Sequence, residues 1–418
     1  MNAEIIAVGS ELLLGQIANT NAQFISQKLA EAGIDVYRHS VVGDNQSRLL
    51  AEISAAQDRA ELIILTGGLG PTKDDLTKET VAQFLGKKLV MHDESLHFIE
   101  QYFKNANKAM TANNQKQALI VEGSDVLVNH HGMAPGMILN SQGTILVLLP
   151  GPPREMKPML QTSVIPRLLK LRKGEPVISR VLRYFGIGEA ELEDRIEHLI
   201  HKQINPTIAP LASDGEVTLR ISAKHSEVKT AQKMLDVTEA DINSIVGKYM
   251  YGKNDETLLQ KTFELLSSSQ LTIASAESLT AGLFASQIGS QPGASSVLKG
   301  GLVCYTNEAK MNLAGVSDKT LAEEGAVSKR CAIELAEGVK NRLGSDIGIS
   351  FTGSAGPESL EGQPLGTVWI GIAFQSNPPI ALHIKLQGER NYIRLKAVKH
   401  GLFHLIQLLE QHSDKIVE

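Results

Sequence analysis

Leu271-Thr-Ile-Ala-Ser-Ala-Glu-Ser-Leu-Thr-Ala-Gly282 passes from an apolar run into small polar residues, and Leu279, Leu283 and Ile288 follow at helical spacing. That pattern reads as a buried strand turning into a helix. Ser278 stands at the turn, where a hydroxyl can cap free backbone N–H groups or an alkoxide can be stabilised by the helix dipole. A second stretch, Gly300-Gly-Leu-Val-Cys-Tyr-Thr-Asn-Glu-Ala-Lys310, reads as a strand over 301–305 followed by a helix start over 307–313. Tyr305 and Lys310 are therefore expected near a strand end, within reach of Ser278.

A serine needs a partner base before it attacks a carbonyl. No histidine lies in either stretch. Lysine can serve where partial burial lowers its pKa towards neutrality, and Ser-Lys pairs are a recognised variant of the Ser-His-Asp arrangement. The competing reading has Ser278 as an N-cap, Tyr305 as a core aromatic and Lys310 as a solvated helix residue. Spacing alone favours this second reading.

Ala-Glu-Ser-Leu-Thr-Ala-Gly, Tyr-Thr-Asn-Glu-Ala-Lys and Thr352-Gly-Ser-Ala-Gly-Pro357 together resemble the nicotinamide-nucleotide amidase (PncC) domain, the C-terminal half of the CinA family. The resemblance runs from about Thr257 to about Leu409. It implies Ser278 as nucleophile, Lys310 as base, and Tyr305 and Thr352 as supporting hydroxyls. It further implies Arg390 as the substrate-binding cation, with Gly353 beside it. The usual motif is Glu-Ser-Cys-Thr-Gly-Gly; here Leu279 replaces the cysteine and Ala281 the first glycine.

The 418 residues are enough for two to four domains, and 42% hydrophobic content suits ordinary folded cores. A net charge of −5 argues against a generic nucleic-acid binder, and 4% aromatics against base-stacking platforms. Two cysteines, Cys304 and Cys331, make no disulfide framework. The N-terminus lacks a basic signal region, and no apolar run approaches bilayer length. A cytoplasmic, membrane-free protein is expected.

In the first domain strands are expected at 5–8, 36–42 and 62–65, alternating with helices at 21–32 and 46–56. That alternation means a parallel sheet with covered faces. The loop Thr66-Gly-Gly-Leu-Gly-Pro-Thr-Lys-Asp-Asp75 follows the third strand. Its glycines permit close backbone approach, at the sheet edge where ligands usually bind. Such a loop with a helix N-terminus suits a phosphate. Asp74 and Asp75 could hold a divalent cation or cap the helix. After a strand at 144–149, Pro150-Gly-Pro-Pro-Arg154 reads as a rigid turn, with Arg154 either facing an anion or lying on the surface. Neither a Walker A motif nor a dinucleotide fingerprint is present.

Gly9-Ser-Glu-Leu-Leu-Leu-Gly15, Asn19-Thr-Asn21 and the glycine loop resemble the N-terminal half of CinA, which is related to molybdopterin-binding domains of the MoaB/MogA type. The resemblance implies metal-dependent ADP-ribose pyrophosphatase activity. It places Glu11, Asn21, Gly68, Gly70, Asp74 and Asp75 near the ligand.

The middle piece reads as strand 177–185, helix 189–201, strand 216–223 and helix 228–246, a small α+β domain that the family resemblance makes KH-like. Lys173 to Lys248 carries 10 basic and 12 acidic residues, a local charge of −2, and its nearest approach to a KH loop is Gly186-Ile-Gly188-Glu189. A spacer or dimerisation module is favoured over nucleic-acid binding. Trp369 is expected in the core.

The expected architecture is thus α/β. A MoaB/MogA-like domain spans 1–172, a KH-like α+β domain 173–249, a linker 250–256 and an α/β amidase domain 257–418. The implied function is pyridine-nucleotide recycling. The last domain deamidates nicotinamide mononucleotide without a cofactor. The first splits ADP-ribose with a divalent metal (Mg, Mn or Co). A homodimer is expected. The alternatives are a pterin-binding protein and a competence- or DNA-damage-linked scaffold.

Overall fold

The computed structural model describes residues 1–171, 177–213, 215–356 and 362–417. The expected start of the middle domain at Lys173 and the motif residue Pro357 lie outside them.

The N-terminal domain contains β1 (Asn2–Val8), β2 (Asp35–Val42), β3 (Leu62–Thr66), a small antiparallel pair β4 (Leu89–Met91) and β5 (Leu119–Val121), then β6 (Asp125–Leu127), β7 (Gly136–Ser141) and β8 (Thr144–Leu149). The main sheet has the order β2-β1-β3-β8-β7-β6. Every residue of β3 and β8 is buried, which is why both read as unbroken apolar runs. The sheet is not purely parallel as expected. β7 and β6 add on antiparallel, because two residues suffice to turn β7 into β8. Helices begin at side-chain caps: Asn19 accepts from Ala22 N and Asn45 from Arg48 N.

The middle domain comprises β9 (Val177–Phe185), β10 (Thr207–Ser213), β11 (Glu216–Lys224) and β12 (Met250–Lys253), ordered β10-β11-β9-β12. Two elements correct the sequence reading. Met250–Lys253, expected as linker, is an edge strand antiparallel to β9, so the irregular connection shrinks to a few residues. β10 was not expected at all; Pro210 inside it hides a strand that is tolerated because it lies at the edge. Lys253 pairs with Glu239 of the helix Val228–Val246, and Arg180 of β9 pairs with Asp236 and Glu239, tying that helix to the sheet.

The C-terminal domain holds β13 (Ile273–Glu277), β14 (Leu298–Val303), β15 (Ile347–Gly353), β16 (Thr367–Phe374) and β17 (Ile380–Lys385), ordered β14-β13-β15-β16-β17. β14, β13 and β15 are parallel; β16 and β17 return antiparallel. The helix Lys329–Leu343 lies against one face so closely that a Cβ on Gly348 or Gly371 would meet the carbonyls of Ala336 or Ala332 at about 2 Å. Ile349, Phe351, Phe284, Ile393 and Leu405 form the core on the other face, under the helix Arg390–Val417. Thr257 starts the domain's first helix with a reciprocal capping box to Gln260. No helix among the described residues is long and apolar enough to cross a membrane.

Candidate active site

Three parallel strands of the C-terminal domain end together. Glu277 lies level with Val303 on one side and Phe351 on the other. Ser278 N then donates to Phe351 O at 2.9 Å, and Cys304 N donates to Glu277 O at 2.8 Å. Ser278 therefore sits between the start of Cys304-Tyr305 and Thr352, at the carboxyl edge of the strands, where α/β sheets present their ligands. It is 9% exposed.

The Ser278 hydroxyl is not an N-cap. The next helix is Leu283–Gly289, its preceding residue is Gly282, and its free N–H groups go elsewhere. The Glu277 carboxylate, fully buried, accepts from Phe284 N at 3.1 Å, Ala285 N at 2.9 Å and Ser275 Oγ at 3.0 Å. Anions are favoured at that helix end. Ser278 is left for other work.

Lys310 belongs to the first turns of the helix Asn307–Ala314, which Thr306 caps through Ala309 N. It is 2% exposed, and its Nζ donates to Tyr305 O at 3.4 Å. The solvated-lysine reading is thereby excluded. Thr352 is 1% exposed and donates its hydroxyl proton to Ala326 O at 2.6 Å, leaving its oxygen as an acceptor. Tyr305 is no core aromatic, being 53% exposed. Its hydroxyl oxygen accepts from Arg390 at 2.8 Å, and Arg390 also donates to Gly356 O at 2.6 Å. Buried Cys304 lies beside this group, and burial pushes its thiol above the usual range, which keeps it protonated and a poor nucleophile. Gly353 has a packing reason for its identity: a Cβ there would meet Thr367 O at 2.5 Å. Trp369 is partly exposed and stacks on His383 with 4.6 Å between ring centroids.

Two residues of this region escaped the sequence reading. Glu277 lies within the Ala-Glu-Ser motif, where its residue type alone assigns it no role. Arg394, one helical turn after Arg390, donates from Nε to Leu279 O and from a terminal nitrogen to Thr280 O, both at 2.9 Å. The i, i+4 spacing of the two arginines was the available signal.

In the N-terminal domain an open cleft of about 620 Å³ lies beside the glycine loop, and Glu11, Gly68, Gly70, Asp74 and Asp75 all line it. Asn21 borders an adjoining smaller hollow with Glu11 and Thr66. It bridges two strand ends, donating to Thr66 Oγ1 at 3.1 Å and Gly151 O at 2.7 Å, while its Oδ1 is buried without a partner. The glycines answer first to the protein itself. Gly68 has φ +68°, and a Cβ there would stand 2.2 Å from Thr77 Oγ1. Asp75 is not a helix cap; its Oδ2 accepts from Thr72 N and Thr72 Oγ1 within the loop. Asp44, Gln117 and Glu155 also line the cleft and were missed, being distant in sequence. Arg154 is exposed and is not among the residues bordering it.

No three His, Cys, Asp or Glu side chains among the described residues come together closely enough to hold a metal by themselves. The carboxylates of Glu11, Asp44, Asp74, Asp75 and Glu155 nevertheless border the cleft with no lysine or arginine among its lining. That donor set fits a magnesium-type ion completed by phosphate oxygens and water, and a diphosphate would need such a countercharge to enter.

The fold and sites define a three-part α/β protein. Family models match in register with it: a probable molybdopterin binding domain over residues 4–170, the damage-inducible protein CinA KH domain over 179–252, and the CinA C-terminal domain over 255–409. The chain belongs to the CinA family of competence-damage inducible proteins. It is 56% identical over 414 residues to a putative competence-damage inducible protein of Shouchella clausii, covering 99% of both chains. It is 57% identical over 412 residues to one from Geobacillus kaustophilus, covering 98% of this chain and 99% of the relative. Among solved structures, the CinA protein of Thermoplasma acidophilum is 34% identical over 40% of this chain and 97% of its own, with a TM-score of 0.37.

Proposed function

We propose that the C-terminal domain is a serine amidohydrolase acting on the carboxamide of nicotinamide mononucleotide. The observation that supports this reading is a strand-end hydroxyl not spent on capping, one strand over from Tyr305, whose carbonyl a buried lysine amine holds. Ser278 Oγ attacks the carboxamide carbon and its proton passes to Lys310 Nζ. Burying an ammonium costs free energy, so the neutral amine that can take a proton is favoured. The tetrahedral oxyanion collapses with cleavage of the C–N bond, Lys310 returns the proton to the leaving nitrogen, and ammonia departs. Water then hydrolyses the acyl ester to nicotinate mononucleotide and free Ser278. Thr352 supports the dyad with its hydroxyl, and Arg390, anchored on Tyr305, meets the phosphate.

The test is ammonia release. Ser278→Ala and Lys310→Ala should each lose it by roughly three orders of magnitude or more while melting like the wild type. Normal turnover in Ser278→Ala would end the reading.

A second activity is favoured by the acidic cleft of the first domain: cleavage of ADP-ribose to AMP and ribose 5-phosphate. Asp74 and Asp75 would hold a divalent cation there, and the cation would supply charge neutralisation of the diphosphate. The glycine loop offers backbone N–H groups to the same phosphates. AMP formed from ADP-ribose by the full chain, with magnesium, manganese or cobalt and after chelation, tests this. Unchanged AMP formation in Asp74→Ala and Asp75→Ala would remove these residues from it. Both readings imply small nucleotide ligands, with no cofactor for the amidase; the family's three-part architecture is the ground for expecting a homodimer.

A further inference from the structure

We infer that Arg394 is the positioning residue of an oxyanion site whose donor is the backbone N–H of Leu279; this rests on the amidase reading above. Residues 278–281 form a β-turn closed by Ala281 N donating to Ser278 O at 3.2 Å. A turn of this kind has one soft degree of freedom, rotation of its central peptide, which separates the type I and type II forms. Here that peptide joins Leu279 to Thr280. Arg394 Nε holds its carbonyl at 2.9 Å, and the same guanidinium holds the next carbonyl, of Thr280, at 2.9 Å. A rigid planar fork on two successive carbonyls fixes both peptide planes. Behind the turn the buried Glu277 carboxylate holds Phe284 N and Ala285 N, so the chain is anchored on both sides of Ser278.

What the anchoring leaves is informative. Among the described residues neither Leu279 N nor Thr280 N donates a hydrogen bond, although Leu279 is 4% exposed and Thr280 is fully buried. The Thr280 hydroxyl is likewise buried without a partner. Buried N–H groups without partners are rare and costly. The Ser278 carbonyl points into the turn, so the N–H on the same peptide, that of Leu279, points out of it. The N–H following a nucleophile is well placed for the oxygen of a tetrahedral intermediate, whose negative charge forms as Ser278 Oγ bonds the carbonyl carbon. Arg394 touches no reacting atom. It acts through the Thr280–Ala281 peptide: holding Thr280 O fixes Ala281 N, whose bond to Ser278 O orients the Ser278–Leu279 peptide and with it this donor.

The experiment compares wild type, Arg394→Ala, Arg394→Lys and Ser278→Ala as full chains, with nicotinamide mononucleotide and its thioamide analogue as substrates. Sulfur is a weaker and larger acceptor, so an oxyanion site discriminates strongly against the thioamide. Arg394→Ala should lose roughly 10²-fold in kcat with KM within about threefold, and its preference for the amide should collapse towards unity. Arg394→Lys, which can hold one carbonyl, should fall between, and added guanidinium should partly rescue Arg394→Ala. Substrate binding to the Ser278→Ala/Arg394→Ala double variant, followed by calorimetry, should match that of Ser278→Ala and so show an intact pocket. A kcat within threefold of wild type, or an unchanged amide-to-thioamide ratio, overturns the inference. If Ser278→Ala itself turns over normally, the amidase reading fails instead, and the two failures are thereby distinct.

Discussion

Arg390 donates to the Tyr305 hydroxyl at 2.8 Å, across 85 residues of sequence, and the same guanidinium holds Gly356 O at 2.6 Å. An arginine at the first residue of a long helix is thus fixed over a strand end rather than free in solvent. Tyr305→Phe removes one of its two anchors without opening a core cavity, since the ring is half exposed. The expected result is a fall of about tenfold in kcat/KM for nicotinamide mononucleotide, carried largely by KM, from a loss of about 1–1.5 kcal/mol. Steady-state kinetics at fixed ionic strength measure it. An unchanged KM would mean that Arg390 does not need the phenol.

Ala281 should be replaceable with profit. Its φ is +48°, a left-handed conformation that costs an alanine about 1–2 kcal/mol, and Gly282 beside it takes φ +89°. Ala281→Gly relieves that strain but loosens the unfolded chain, for a net gain of about 0.5–1 kcal/mol. The C-terminal thermal transition should rise by a few degrees. A lowered transition would show that the methyl group's packing outweighs the backbone strain.

The sequence disclosed most of this architecture because its buried strands carry their own signal. Leu62-Ile-Ile-Leu65 and Thr144–Leu149 are covered on both faces and read as apolar runs, and Thr257 and Asn45 announce helix starts by their capping chemistry. The edges were less legible. β12 is a four-residue strand whose Gly252 looks like a breaker, and β10 carries a proline that only an edge position tolerates. At the site, residue types and motif order indicated Ser278 and Lys310. Glu277 and Arg394 did not stand out, because their roles lie in bonds to backbone groups. A backbone partner leaves no mark on the sequence.

His400 gives the C-terminal half an acid-sensitive seam. Its ring packs edge-on against Phe185 of β9 at 4.7 Å, and burial, with His404 and Lys396 adding repulsion, lowers its pKa to about 4. The unfolded chain binds the proton near pH 6.5 and the folded one only near 4. Between those values the unfolded state carries more protons, so stability is full above about pH 6.5 and is lost as pH falls towards 4. His400→Phe cannot charge and should flatten that decline. Urea midpoints at pH 7 and pH 5 read the difference. An equally steep loss in the variant would assign the acid sensitivity to other groups.

Lys116 is the strut of the glycine loop. Its ammonium donates to Thr72 O at 3.0 Å and Asp75 O at 2.6 Å and pairs with Glu79 at 3.1 Å, while Asp75 closes the loop on Thr72. Lys116→Met keeps much of the stem's packing and removes three charge-assisted contacts. Each such bond contributes about 1–2 kcal/mol net, so residues 67–75 should exchange amide protons at least tenfold faster. ADP-ribose affinity should drop with it, because a looser loop must be ordered on binding. Ammonia release should not change, since every residue assigned to it belongs to the C-terminal domain. Protected amides with undiminished ADP-ribose binding would show that the loop holds its shape through its glycine turns alone.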